Sequence, residues 1–376
     1  MKYFISFLIF FTLNLMASSQ ISTVDDRSSN LKRVTSHWNT NWNKHNVPYD
    51  ELLSGGPPRD GIPPIDNPKF VDVNQAKTWI EDNEPVVFVK IGEKVKAYPI
   101  QILIWHEIVN DTLGGKNISV TFCPLCNSTI VFDRVLDGKL YDFGTSGLLR
   151  NSDLVMYDRQ NETLWQQFTG EAIIGDLTGK VLTMLPSSMI SFKDYYTTYP
   201  NAMVLSKDTG HYRAYGDNPY VGYDDINNSP FLYSNPIDKR LKPMARVVTI
   251  SNKNDSKAYS YKILKRKKVV NDIFSGKKIA VFHKSGTTSA LDRQSISDSK
   301  DVGTTAVFSS SLEDMTLKFV YDSSKGIVDT NTQSSWNIMG VAISGKLKGK
   351  VLKQIVHADH FWFSWAAFKP KTLIYK

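Results

Sequence analysis

Between residues 86 and 157 the chain runs in short stretches of β-branched and aromatic residues bounded by Gly, Asn or Asp. Such runs predict strands over 86–91, 95–98, 118–122, 129–132 and 154–157. Two stretches follow helical spacing instead. Asp72 can cap a helix over 72–82 that carries Ala76, Trp79 and Ile80 on one side, and over 99–109 a first-turn proline precedes Ile100, Leu103, Ile104 and Ile108. Residues 55–70 hold too many Pro and Gly for a regular helix or a central strand, so they are expected as an ordered arm or a linker. The expected fold class is α+β, β-rich, with short helices.

The pattern then returns. Lys96-Ala97-Tyr98 reappears as Lys257-Ala258-Tyr259, Val109-Asn110-Asp111 as Val270-Asn271-Asp272, and Gly115-Lys116 as Gly276-Lys277, all at one offset. Downstream, Asp158 and Trp165 recur as Asp329 and Trp336, Gly179-Lys180-Val181-Leu182 as Gly349-Lys350-Val351-Leu352, and Pro200 as Pro370. Two diverged copies of one domain, a tandem internal duplication, are therefore expected over 86–207 and 247–376. An arm over 20–85 precedes them and a segment over 208–246 connects them. Solenoid repeats run about 20–50 residues, so a unit of this length is a whole domain.

The N-terminus changes the picture of location. Lys2, an apolar run over 3–15 and the small residues Ala17, Ser18 and Ser19 have the layout of a secretory signal peptide, with cleavage expected after Ser19. The run is shorter than the roughly 18–20 apolar residues that span a bilayer. A periplasmic or secreted protein, not membrane-spanning after cleavage, is the expectation. The net charge of +8 is spread through the chain, with a local run over 262–268. It reads as a solvated face, and no nucleic-acid partner is expected.

The chemistry concentrates in a few residues. The only two cysteines, Cys123 and Cys126, form one Cys-Pro-Leu-Cys motif. In the repeat register they fall opposite Lys284 and Thr287, while His106 and Glu107 fall opposite Lys267 and Lys268, so thiols and imidazole are absent from the second copy together. Two thiolates separated by a tight turn can share one ion at about 2.3 Å, and imidazole can add a bond of about 2.0–2.1 Å. His106 and, from the C-terminal His357-Ala-Asp-His360, His360 are the candidate further ligands, and the donor set suits copper or zinc. The alternatives are a thiol–disulfide oxidoreductase with Cys123 and Cys126 as its redox pair, and a binding module whose cysteines staple a loop. No helix is evident at the first thiol, which favours metal over redox chemistry. No Walker loop, Gly-x-Ser-x-Gly elbow or His-Glu-x-x-His motif occurs, so no nucleotide cofactor is expected. Gly144-Thr-Ser-Gly147 reads as a hairpin turn.

Trp105-His106-Glu107-Ile-Val-Asn110-Asp111, Cys123-Pro-Leu-Cys126, Met156-Tyr-Asp158-Arg159, Leu164-Trp165 and Phe361-Trp-Phe-Ser-Trp365 together resemble the domain-of-unknown-function 3179 family. The resemblance runs from the Gly-Gly-Pro-Pro arm to Tyr375. It implies weight on the Cys-Pro-Leu-Cys and His-Glu segments and supplies no reaction.

Overall fold

The computed structural model describes residues 25–376; the expected signal peptide over 1–19 lies outside them. Strand makes up 39% and helix 12%, so the chain is β-rich with a few short helices. Among the described residues no helix is long and apolar enough to cross a membrane.

Every strand expected from the sequence is present, each extended by a residue or more. Pro85–Ile91 pairs antiparallel with Lys94–Pro99. Lys116–Cys123 lies between Ile108–Leu113 and Ser128–Asp133. Phe143–Arg150, Asp153–Asp158, Leu164–Gln166 and Glu171–Ile174 form a third sheet in chain order. The helix Ile100–His106 starts after Pro99 and buries Ile100, Leu103 and Ile104. It stops because Glu107 adopts left-handed φ (57°), with its N–H donating to the Leu103 carbonyl. The helix expected over 72–82 is regular only over Val73–Ala76, where Asp72 and Gln75 form a reciprocal capping box.

Closely similar contacts recur in the second half. Tyr98 and Tyr259 donate their hydroxyls to Asp111 and Asp272, at 2.7 and 2.9 Å. Trp165 and Trp336 donate Nε1–H to Asp158 and Asp329, at 2.8 and 3.0 Å. Each indole meets a phenylalanine edge-on with ring centroids 5.8 Å apart, Phe143 in one case and Phe319 in the other. Pro200 and Pro370 each follow a seven-residue helix, Phe192–Thr198 and Trp362–Phe368. Each proline then leads into a short parallel strand. The halves also interlock: Ala358–Phe361 packs beside Ser128–Asp133, and Ser187–Ser191 beside Thr304–Ser309.

One expectation is reversed. Gly144-Thr-Ser-Gly147 is no hairpin turn; it lies within Phe143–Arg150, where the pairing register shifts between Thr145 and Leu148. Gly147 has φ +76°, and a Cβ there would sit 2.2 Å from the Pro57 carbonyl oxygen, so only glycine lets the arm approach. The arm itself is ordered: Leu52–Ser54 pairs with Phe143–Arg150, and Ile65 bridges to Val109. The basic run lies largely on the helix Tyr261–Lys267, with Lys265, Arg266 and Lys267 in its last turn beside unsatisfied carbonyls.

Candidate functional site

Cys123 ends the strand Lys116–Cys123, and Cys126 closes the turn before Ser128–Asp133. Asn127 takes the left-handed conformation (φ 49°) that the turn requires. Both thiols are free and buried, and both approach the Ser152 carbonyl oxygen, at 3.8 Å from Cys123 and 3.4 Å from Cys126. Asp153, the first residue of Asp153–Asp158, completes the group. One ligand atom from each of Cys123, Cys126 and Asp153 lies within 4.8 Å of the others, and all three residues are buried.

The electrostatics of this group are unusual. Asp153 Oδ2 accepts hydrogen bonds from Gln166 Nε2 and from the Phe168 N–H at 3.0 Å, while its Oδ1 is buried without a partner. Burial pushes its carboxyl up to about 7. It also pushes the Cys123 thiol up and the Cys126 thiol well above its ordinary value. Glu107, 7% exposed, is pushed up to about 8 by burial and then by the Asp153 charge, with no hydrogen bond to offset either. Four acidic groups thus crowd one buried region, with no balancing cation beside them among the described residues, the circumstance in which a bound metal ion reverses the local preference and deprotonates its ligands.

Neither expected histidine joins the thiols. His106 Nδ1 lies 2.6 Å from the Pro63 carbonyl oxygen and Nε2 2.6 Å from the Tyr215 hydroxyl. A carbonyl only accepts, so Nδ1 carries the proton and the Nε2 lone pair is taken up by Tyr215. No lone pair remains for a metal, and burial holds the ring neutral, its pKa lowered to about 4. His106 instead ties the arm and the connecting segment to the helix Ile100–His106. His360 is packed against Phe168 and Trp365, with ring centroids at 4.3 and 5.4 Å, and burial lowers its pKa to about 3. Its neighbour Phe361 reaches the site through the backbone, donating its N–H to the Cys126 carbonyl at 2.9 Å, but the imidazole is not part of the ligand group.

Asp153 and Glu107 are the residues that sequence reasoning left out of the site. The repeat register held a signal for both. With Asp158 opposite Asp329, Asp153 falls opposite Ser324, and Glu107 falls opposite Lys268, so both acids vanish from the second half along with the thiols. At the corresponding place there, Thr287 bonds Thr304 at 2.5 Å and Lys284 pairs with Asp194.

The connecting segment covers the site. Tyr223 donates its hydroxyl to the Leu125 carbonyl at 3.1 Å, inside the Cys-Pro-Leu-Cys turn. Beneath this segment lies a cavity of about 670 Å³ whose wall includes Glu107, Leu125, Leu154, Tyr220 and Tyr223.

No curated protein and no solved structure matches this chain. One family does, and its match spans the arm from Arg59, the thiol group, the connecting segment and almost all of the second half: over residues 59–372 the chain belongs to the family described as "Protein of unknown function (DUF3179)".

Proposed function

We propose that the protein is a metal-binding protein whose centre is Cys123, Cys126 and Asp153. The observation that carries this reading is the buried three-atom ligand group, with Asp153 Oδ1 left without a hydrogen-bonding partner beside two free thiols. Buried polar atoms nearly always have partners, and an ion would satisfy this one. Of the two metals expected from the sequence, the carboxylate favours zinc over copper(I), because an oxygen donor is harder than the thioether, thiolate or imidazole donors that copper(I) prefers. Three protein ligands leave one tetrahedral position for water or a small ligand, as in zinc sites that do chemistry. Chain purified without chelator is expected to carry one ion, read by elemental analysis; metal-free chain that takes up no zinc on reconstitution would overturn the proposal.

The thiol–disulfide alternative fares worse for a physical reason. A reactive thiol sits in an electropositive, partly exposed setting that favours thiolate, whereas Cys123 ends a strand and burial disfavours the charged form of both thiols. A stapling disulfide would leave Asp153 Oδ1 without a partner.

Two further readings accompany the site. We infer a duplication of one ancestral domain, supported by the recurring Tyr–Asp, Trp–Asp and Trp–Phe contacts. We also place the protein in the periplasm or outside the cell, supported by the leader-like residues 1–19. The exported form is expected to begin near Gln20; mass spectrometry finding Met1 intact on it would contradict this.

A further inference from the structure

The cavity beneath the connecting segment has features that the metal centre does not use. At about 670 Å³ it falls within the range of small-molecule sites, roughly 300–1,000 Å³. Its wall is largely apolar, with Leu125, Leu148 and Leu154 on the sheet side and Tyr220, Tyr223 and Phe231 from the connecting segment. Among the described residues Glu107 is the single acidic side chain in that wall and no Lys, Arg or His lines it; burial pushes the Glu107 carboxyl up to about 8, so it is largely protonated at neutral pH until a cation pairs with it. Glu107 ends the helix in the left-handed conformation, which fixes where its side chain leaves the backbone. The carboxyl makes no hydrogen bond among the described residues, and the charge of Asp153 raises its pKa further.

A wall with one acid and no base rejects anionic ligands, because a ligand carboxylate or phosphate would be buried beside Glu107 without a counter-charge. A neutral apolar ligand would fill the volume but leave the carboxyl, which makes no side-chain hydrogen bond among the described residues, without a partner. A cation answers both demands: it pairs with Glu107, and the aromatic side chains Tyr220 and Tyr223 stand in the wall that encloses it.

We propose that this cavity binds an apolar molecule carrying one cationic nitrogen, with Glu107 pairing with the nitrogen and the leucine and aromatic wall enclosing the hydrocarbon part. The site stands beside the metal centre and does not depend on it. Binding requires no covalent step.

Octylamine, octanol and octanoate share one hydrocarbon chain and differ only in the head group, so they separate the contributions. Isothermal titration of the purified full-length mature chain is expected to give saturable one-site binding of octylamine, at least about tenfold tighter than octanol, with octanoate weakest. Glu107→Gln keeps the shape of the side chain and removes its capacity to ionise. It is expected to abolish the preference for amine while octanol affinity changes by less than about threefold. Cys126→Ser, which removes a ligand of the proposed metal centre, is expected to lose the ion and keep the amine preference, which distinguishes this site from the metal centre. Octylamine binding no tighter than octanol, octanoate binding the tightest, or no saturable amine binding would each overturn the proposal without any variant. An undiminished amine preference in Glu107→Gln would overturn the role of that residue and with it the proposal.

Discussion

Trp165→Ala is expected to destabilise the protein by about 3–5 kcal/mol, the usual cost of emptying the space of a buried aromatic side chain. Trp165 is fully buried, packs edge-on against Phe143 and donates its indole N–H to Asp158. The change therefore also strips a hydrogen bond from a buried carboxylate, a further cost of about 1–3 kcal/mol. Chemical denaturation followed by fluorescence reads the difference. Trp165→Phe retains most of the ring but not the donor, so it should recover the packing part and leave the hydrogen-bond part lost. Trp336→Ala should behave in the same way, since Asp329 and Phe319 surround that ring in equivalent fashion. A loss below about 1 kcal/mol for Trp165→Ala would show that the contact does not carry the weight its burial implies.

The second large effect concerns metal affinity. Replacing groups that only orient metal ligands costs about 10–100-fold. Removing a ligand should cost more, so Cys126→Ser and Asp153→Ala are each expected to weaken zinc binding by over about 100-fold. His106→Ala provides the contrast. Its ring nitrogens are both engaged by Pro63 and Tyr215, so metal affinity should stay within a few-fold of wild type while the arm and connecting segment loosen. Competition with a chromogenic chelator measures all three. Loss of metal in His106→Ala with retention in Asp153→Ala would reverse the assignment made from the geometry.

The β-rich class and the individual strands were legible because β-branched runs bounded by turn residues are local signals. The helix ending at His106 was equally legible, since Pro99 and the spacing of Ile100, Leu103 and Ile104 fix both its start and its buried face. The helix after Asp72 is shorter than its apolar positions, which continue to Ile80, because beyond Ala76 the hydrogen bonds mix three-residue and four-residue turns instead of one regular pattern. The site was half legible. Cys123 and Cys126 are marked by their spacing alone, but Asp153 reaches them from a distant strand through sheet packing that no local pattern encodes. His106 misled for the opposite reason: it is close in sequence to the right elements, yet its two hydrogen bonds go to Pro63 and Tyr215, segments far along the chain in both directions. The connecting segment carried no periodic pattern at all, and its function as a cover follows from single contacts such as Tyr223 to Leu125.

The central claim, one ion held by two sulfurs and a carboxylate, is tested most directly by X-ray absorption at the zinc edge on the purified chain. The geometry predicts two sulfur neighbours at about 2.3 Å and oxygen neighbours at about 2.0–2.2 Å, with one sulfur lost in Cys123→Ser. A spectrum with only oxygen and nitrogen neighbours, or one unchanged in Cys123→Ser, would contradict it.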